Sequence, residues 1–224
     1  MRCRHFLTQA GGRYIGVHVL FSAKGRKTLD PFLKRSFMRK TVISFAVIVF
    51  ALASMFDLQA ATLAGVTLPD TAQVGGKTLV LNGLGVRTKY TVKVYVAGLY
   101  LEQKSSDPNA IIKADAPKQI VMKFVHGASK SQMTDAFDES FKDNTPDAEK
   151  TMKGDIDRLL AAIDAVKVGD QMVFTYVPGT GTTFAMNGKD KVTIAGPAFG
   201  QVIVSVWLGP KPPTADVKKG KLGQ

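Results

Sequence analysis

The sequence predicts an α+β domain, and three observations carry that prediction. From Val86 to Glu102 one parity reads Val, Thr, Tyr, Val, Val, Val, Gly, Tyr while the other begins with Arg87, Lys89, Thr91 and Lys93. Alternation of this kind is the mark of a β-strand with one face in a core. Asn187-Gly188 between two alternating runs is a strong two-residue hairpin signal. Met133, Phe137 and Phe141 recur every four residues behind a Ser129…Gln132 capping-box spacing, which predicts a helix with one buried stripe.

The chain has 224 residues and a net charge of +12, enough for one globular domain and an additional segment. The charge is uneven. Residues 1–60 hold ten Lys/Arg against Asp30 and Asp57, a net of +8, which leaves twenty against sixteen, or +4, for residues 61–224. Most of the basic excess therefore lies outside the domain. No basic helix or basic–aromatic surface motif accompanies it, so nucleic acid is not an expected partner.

Met38-Arg39-Lys40, the apolar run Thr41–Phe56 and the small residues before Ala61 read as a signal peptide over 38–60, cut after Ala60. The run is short for a membrane span, so no integral span is expected after processing. Residues 1–37 read as an over-extended start or a disordered extension. The expected domain is 61–224, located in the periplasm or secreted. Cys3, the single cysteine, falls in the extension. The domain is thus expected to have no disulfide, no thiolate nucleophile and no cysteine metal site.

Within the domain, Val66–Asp70 reads as a short strand, Val74–Lys77 as a tight turn and Thr78–Leu81 as a second strand. Asn82-Gly83 reads as a turn, and the long strand to about Gln103 follows. Asp107-Pro108 starts a helix to Lys113, with Pro pre-set for its first turn. Gln119–Val125 returns to alternation and is expected beside the long strand. After the capped helix, Thr145-Pro146 restarts a helix to about Val166 with Met152, Ile156, Leu159, Leu160 and Ile163 inward. Gln171–Val177, Thr182–Met186 and Lys191–Ile194 are strands. Ala198–Leu208 is the last helix, Gly209-Pro210 stops it, and the Lys/Pro-rich tail is expected to be docked only in part.

Few catalytic constellations are available. His126 is the one histidine after residue 60, with no ligand spacing around it, so neither a metal nor another cofactor is expected. A Ser-His-Asp hydrolase would need that same histidine and lacks a nucleophile elbow. Gly179 and Gly181 join strand to strand with no helix behind them, so they form a turn rather than a phosphate cradle. Asp135, Asp138, Glu139 and Asp143 fall mostly on a helix's outer face, where solvation is their role. The remaining unusual feature is the strand that starts cationic and turns apolar at Ala97. It suits an anion on an apolar body, or else a solvated strand edge where Lys blocks pairing.

The segments G-V-R at 85–87, K-V-Y-V-A-G-L-Y-L-E at 93–102, V-G-D-Q-M-V-F-T-Y-V-P-G-T-G-T at 168–182, M-N-G-K at 186–189 and A-F-G-Q-V-I-V-S-V-W-L-G-P-K-P at 198–212 resemble the chalcone isomerase-like proteins, in the same order, over about 64–224. The resemblance implies an open-faced antiparallel β-sandwich with helices packed on the sheet. It also implies one of three roles: fatty-acid binding, an intramolecular lyase or isomerase activity, or a structural domain without a small ligand. The Arg that stabilises a phenolate in the plant enzymes matches Arg87. Their strand Thr falls at Tyr95, and Tyr there resembles the fatty-acid-binding relatives, where Arg and Tyr hold a carboxylate. Their helix Tyr and Asn, seven residues apart, fall at Phe137 and Asn144, and the Thr of their last helix falls at Val206. Two hydroxyls that polarise the ketone are thereby absent, which favours binding over catalysis, with Arg87, Tyr95 and Asn144 the residues left for any chemistry.

Arg87 and Tyr95 are eight residues apart, about 27 Å in one straight strand at ~3.4 Å per residue. Either the chain turns between them, or Lys93 is the cationic partner of Tyr95. An acyl chain is then expected among Ala97, Leu99, Leu101, Phe137 and Val206.

Overall fold

The computed structural model describes residues 60–224. Nine strands and six helices follow one another as β1 (Ala60–Leu63), β2 (Val66–Pro69), β3 (Thr71–Val74), β4 (Lys77–Lys89), β5 (Val92–Leu101), α1 (Pro108–Lys113), β6 (Lys118–Phe124), α2 (Lys130–Asn144), α3 (Pro146–Thr151), α4 (Lys153–Ala162), β7 (Gln171–Val177), β8 (Gly181–Met186), β9 (Lys189–Ile194), α5 (Pro197–Leu208) and α6 (Ala215–Lys221). Strands β3 to β9 form one antiparallel sheet in sequence order, and β1–β2 is a separate hairpin. This is the α+β antiparallel architecture that the sequence predicts. The calls for a signal peptide over 38–60 and an extension over 1–37 lie almost wholly outside the described residues.

The two sheet faces bury different sets. Tyr95, Ala97, Leu99 and Leu101 of β5 face the helices, together with Met133, Phe137 and Phe141 of α2 and Phe199, Val206 and Trp207 of α5. Val96 and Tyr100 face the opposite way and pack with Val66 and Leu68 of β2 and Leu79 and Leu81 of β4. The period-two pattern of the sequence is thus a sorting into two cores. Ser129 accepts from the Gln132 amide and Gln132 reaches back to the Ser129 amide, so the capping box fixes where α2 begins.

Three expectations are corrected. The long strand is two strands, because the chain reverses at Tyr90-Thr91 and β4 pairs antiparallel with β5. Asn82-Gly83 is not a turn: β4 runs through it, and Asn82 is the extra residue of a bulge between Leu81↔Tyr100 and Gly83↔Leu99. The Asn82 side chain bonds the Ser105 amide at 2.7 Å and the Lys221 carbonyl at 2.7 Å, giving the bulge a structural purpose. The helix expected to Val166 breaks at Met152, where the backbone leaves helical angles (φ −121°, ψ 24°), and α4 ends at Ala162. Val166 instead bridges Ala128.

The tail is docked more firmly than its composition predicts. Thr214 caps α6 by accepting from the Val217 amide, and Val217 and Lys221 are fully buried. Glycines make the docking possible. A Cβ on Gly83 would lie 2.1 Å from the Gly220 carbonyl oxygen, and one on Gly220 would lie 2.1 Å from that of Leu84. Helix and strand backbones approach where no side chain fits between them.

Candidate functional site

The β4–β5 hairpin settles the distance between Arg87 and Tyr95. They are Cα partners across the two strands, not distant points on one strand. The register then shifts, with Thr88 opposite Lys93, so Val94 is the extra residue on β5. The Arg87 guanidinium stands 5.8 Å from the centre of the Tyr95 ring, close enough for cation–π attraction. Tyr95 is 3% exposed, and its ring meets Phe124 edge-on at 5.7 Å.

The Tyr95 hydroxyl accepts a hydrogen bond from the Trp207 indole N–H at 3.0 Å. Its own proton has no acceptor among the described residues. Burial pushes the phenol pKa up, against the lowering effects of the Arg87 charge and the Trp207 bond, so the group is a neutral donor at physiological pH. Arg87 is half-buried and makes no ion pair among the described residues. A guanidinium with its donors uncommitted and a buried O–H with a spare proton are groups chemically able to donate to an oxyanion.

These two side chains line a cavity with Met122, Met133, Ala136, Phe137, Ser140, Val206, Trp207 and Pro213. Its walls come from β4, β5, β6, α2 and α5, and Pro213 of the α5–α6 linker is a further wall residue. The cavity volume is about 30 Å³, far below the roughly 300–1,000 Å³ of ordinary small-molecule pockets. A longer ligand enters only if α2 or the linker moves. A larger depression of about 480 Å³ lies between the β1–β2 hairpin and β4, but Asp70 and Lys104 are its only charged lining groups, one of each sign. The chemistry is concentrated in the smaller cavity.

The sequence-derived residues separate clearly. Arg87, Tyr95, Phe137 and Val206 meet at the cavity. Lys93 is exposed and is not brought to it. Asn144 is committed elsewhere, donating to the Ser140 and Lys211 carbonyls at 3.0 and 2.9 Å and accepting from the Lys211 amide at 2.8 Å. It joins the end of α2 to the α5–α6 linker. Ala97, Leu99 and Leu101 are packed in the core beyond the cavity wall. His126 is exposed at the end of β6, and no metal-holding cluster occurs among the described residues.

Two participants escaped the sequence reading. Ser140 follows Phe137 by almost one helical turn and brings a hydroxyl to the cavity, a position that the i, i+3 spacing of α2 would have pointed to. Trp207 reads as core and is buried, yet it also forms a cavity wall and positions Tyr95. Behind it, the Lys221 side-chain nitrogen lies 4.1 Å from the centre of its ring with no hydrogen-bond partner among the described residues. Burial lowers the Lys221 pKa well below the ordinary lysine value.

With the geometry in place, comparison with known proteins gives three findings. A family profile described as chalcone isomerase-like matches residues 60–223. Comparison with curated protein sequences returns no match. Among solved structures, a fatty-acid binding protein of Arabidopsis thaliana is similar in fold, with a TM-score of 0.59 and 14% identity, covering 73% of this chain and 96% of that one.

Proposed function

The chain belongs to the chalcone isomerase-like family, and from that premise we propose that it is a non-catalytic binder of a small amphipathic acid such as a fatty acid. The observation that carries the reading is the pairing of Arg87 with Tyr95 at an apolar cavity, the guanidinium uncommitted and the phenol proton without an acceptor. A carboxylate satisfies both. The Arabidopsis protein of similar fold, a fatty-acid binder, supports the choice of ligand class. The expectation of export rests on the sequence before Ala61 and forms part of the same proposal.

The apolar tail and the charged head have separate tasks. Burying ten methylenes gives ~8 kcal/mol at ~0.8 kcal/mol each before association costs, so the tail supplies most of the affinity. The head sets orientation, because losing one partner leaves a desolvated charge unpaired. An isomerase would also have to polarise a ketone. Phe137 and Val206 are apolar where the family's enzymes carry hydroxyls, and Ser140 is the one alcohol in the cavity.

The small volume of the cavity favours a second reading, a structural or interaction domain without a small ligand. Calorimetry separates the two. Arg87→Met should weaken dodecanoic acid more than tenfold, about 1.4 kcal/mol, and leave dodecanol unchanged. Equal losses for acid and alcohol would remove Arg87 from the head-group site. No binding of either ligand to the unaltered protein would remove the fatty-acid reading.

A further inference from the structure

The turn between β4 and β5 places an unusual residue in a demanding conformation. At the β8–β9 turn, the left-handed positions are filled by Asn187 (φ 49°) and Gly188 (φ 76°), residues that adopt such angles readily. At the β4–β5 turn the left-handed position holds Tyr90, with φ 56°. A bulky side chain there is strained. Nothing inside the domain compensates, because Tyr90 is 93% exposed. Val92, two residues on, is 43% exposed.

The charge around this tip is equally one-sided. Arg87, Lys89 and Lys93 flank the two apolar residues, and no Asp or Glu occurs between Thr71 and Leu101. None of the three cations enters an ion pair among the described residues. An exposed Tyr beside an exposed Val, ringed by uncompensated cations, matches the interfacial layer of a membrane with anionic lipids. There an amphipathic ring sits at headgroup depth and lysines meet the negative surface.

We propose that the β4–β5 tip docks on the surface of an anionic lipid bilayer, Tyr90 and Val92 entering the interface and Lys89 and Lys93 meeting lipid headgroups. Two apolar residues and a few cations hold only weakly, so the contact is reversible and falls with salt. Arg87 and Tyr95 belong to the same hairpin, and docking therefore brings their cavity to the lipid. The docking itself does not depend on the proposed function. Only its use, taking an acid from the bilayer or returning one, rests on that reading.

The test uses the full chain and lipid nanodiscs free of fatty acid, with a headgroup spin label and either phosphatidylcholine alone or phosphatidylcholine mixed with phosphatidylglycerol. Paramagnetic broadening of backbone amides reports which residues approach the headgroups. It should be strongest at 89–92, require the anionic lipid, and fall at least fivefold in Tyr90→Asn. Asn accepts the left-handed angle, so the fold is retained. Lys89→Gln with Lys93→Gln should give a similar loss, and Val168→Asn, at an exposed apolar residue elsewhere, none. Broadening no greater at 89–92 than around Val168, or unchanged in Tyr90→Asn, would overturn the proposal. So would concentration-dependent shifts at the tip without lipid, which would assign it to a second copy of the chain.

Discussion

Two tyrosines in this domain carry a cation over the ring, Tyr95 with Arg87 at 5.8 Å and Tyr176 with Lys118 at 5.7 Å, and they differ in what remains to be bonded. Lys118 is 3% exposed and donates to the Ile111 and Ala114 carbonyls at 2.7 and 2.8 Å, closing the C-terminal end of α1. Tyr176 donates to Asp115. Every polar group there has a partner, and Tyr176 packs so closely under Gly200 that a Cβ would come within 2.6 Å of the ring. At Arg87 and Tyr95 a cation and a tyrosine again meet, but beside a cavity and with donors to spare. A cation–tyrosine pair whose hydrogen bonds end inside the protein is a structural device, whereas unpaired buried donors call for another explanation, which the proposed ligand supplies.

The largest expected effect breaks the structural member of the comparison. Lys118→Met leaves two helix-end carbonyls without a donor in a buried site and should cost about 3 kcal/mol. Arg87→Met removes only a cation–π contact at a half-buried position and should cost under about 1 kcal/mol. Urea unfolding of both proteins checks the contrast. Similar losses would mean that Arg87 is also a structural residue.

Lys221 gives the next effect, of opposite sign. Among the described residues its buried nitrogen has no hydrogen-bond partner and only the Trp207 ring against it. Lys221→Met should raise stability at pH 7, because it removes a buried amine that has no hydrogen-bond partner among the described residues. Because the folded-state pKa is depressed, the unfolded chain binds this proton more readily than the folded chain. The gain should therefore shrink as the pH rises toward 10.5, and melting curves at pH 7 and 10 would show it.

A smaller effect sharpens the picture of Lys118. Burial lowers its pKa to about 8, against the attraction of Asp115, from 10.5 in the unfolded chain. Between those values the unfolded chain binds the extra proton, so this group makes stability rise with pH from about 8 to 10.5 and has no further effect below about 8. Tyr100, raised to about 12 by burial and by Asp70, acts the other way above pH 10. Urea midpoints measured from pH 7 to 11 should therefore rise first and then decline.

How far the sequence revealed this arrangement depends on which physical term decides each element. Where side-chain periodicity decides, as in α2 with its capping box or in β7 to β9 with Asn187-Gly188, the elements are legible. The β4–β5 reversal is not, because Tyr90-Thr91 has none of the residues that ordinarily signal a tight turn. The alternation runs through the reversal unbroken, so two strands read as one and Arg87 seems remote from Tyr95. The docking of α6 was hidden for another reason. Its only buried side chains other than Val217 belong to Lys221, a residue type expected in solvent, and the contact is made by glycine backbones that leave no pattern. Within the cavity, Arg87, Tyr95, Phe137 and Val206 were legible through resemblance, while Lys93 and Asn144 were not separable from them without the register of the hairpin and the hydrogen bonds of the linker.

The central claim is that Arg87 and Tyr95 receive a carboxylate, and the most direct measurement observes that group itself. Dodecanoic acid labelled with carbon-13 at the carboxyl, bound to the protein and titrated by NMR, reports the ionisation of the head in place. Beside a guanidinium and a donated phenol proton the bound acid should stay ionised well below the ordinary carboxyl range near 4, and Arg87→Met should move its titration upward by at least one unit. A bound carboxyl that titrates at or above the ordinary range, and does so equally in the Arg87 variant, would contradict the account.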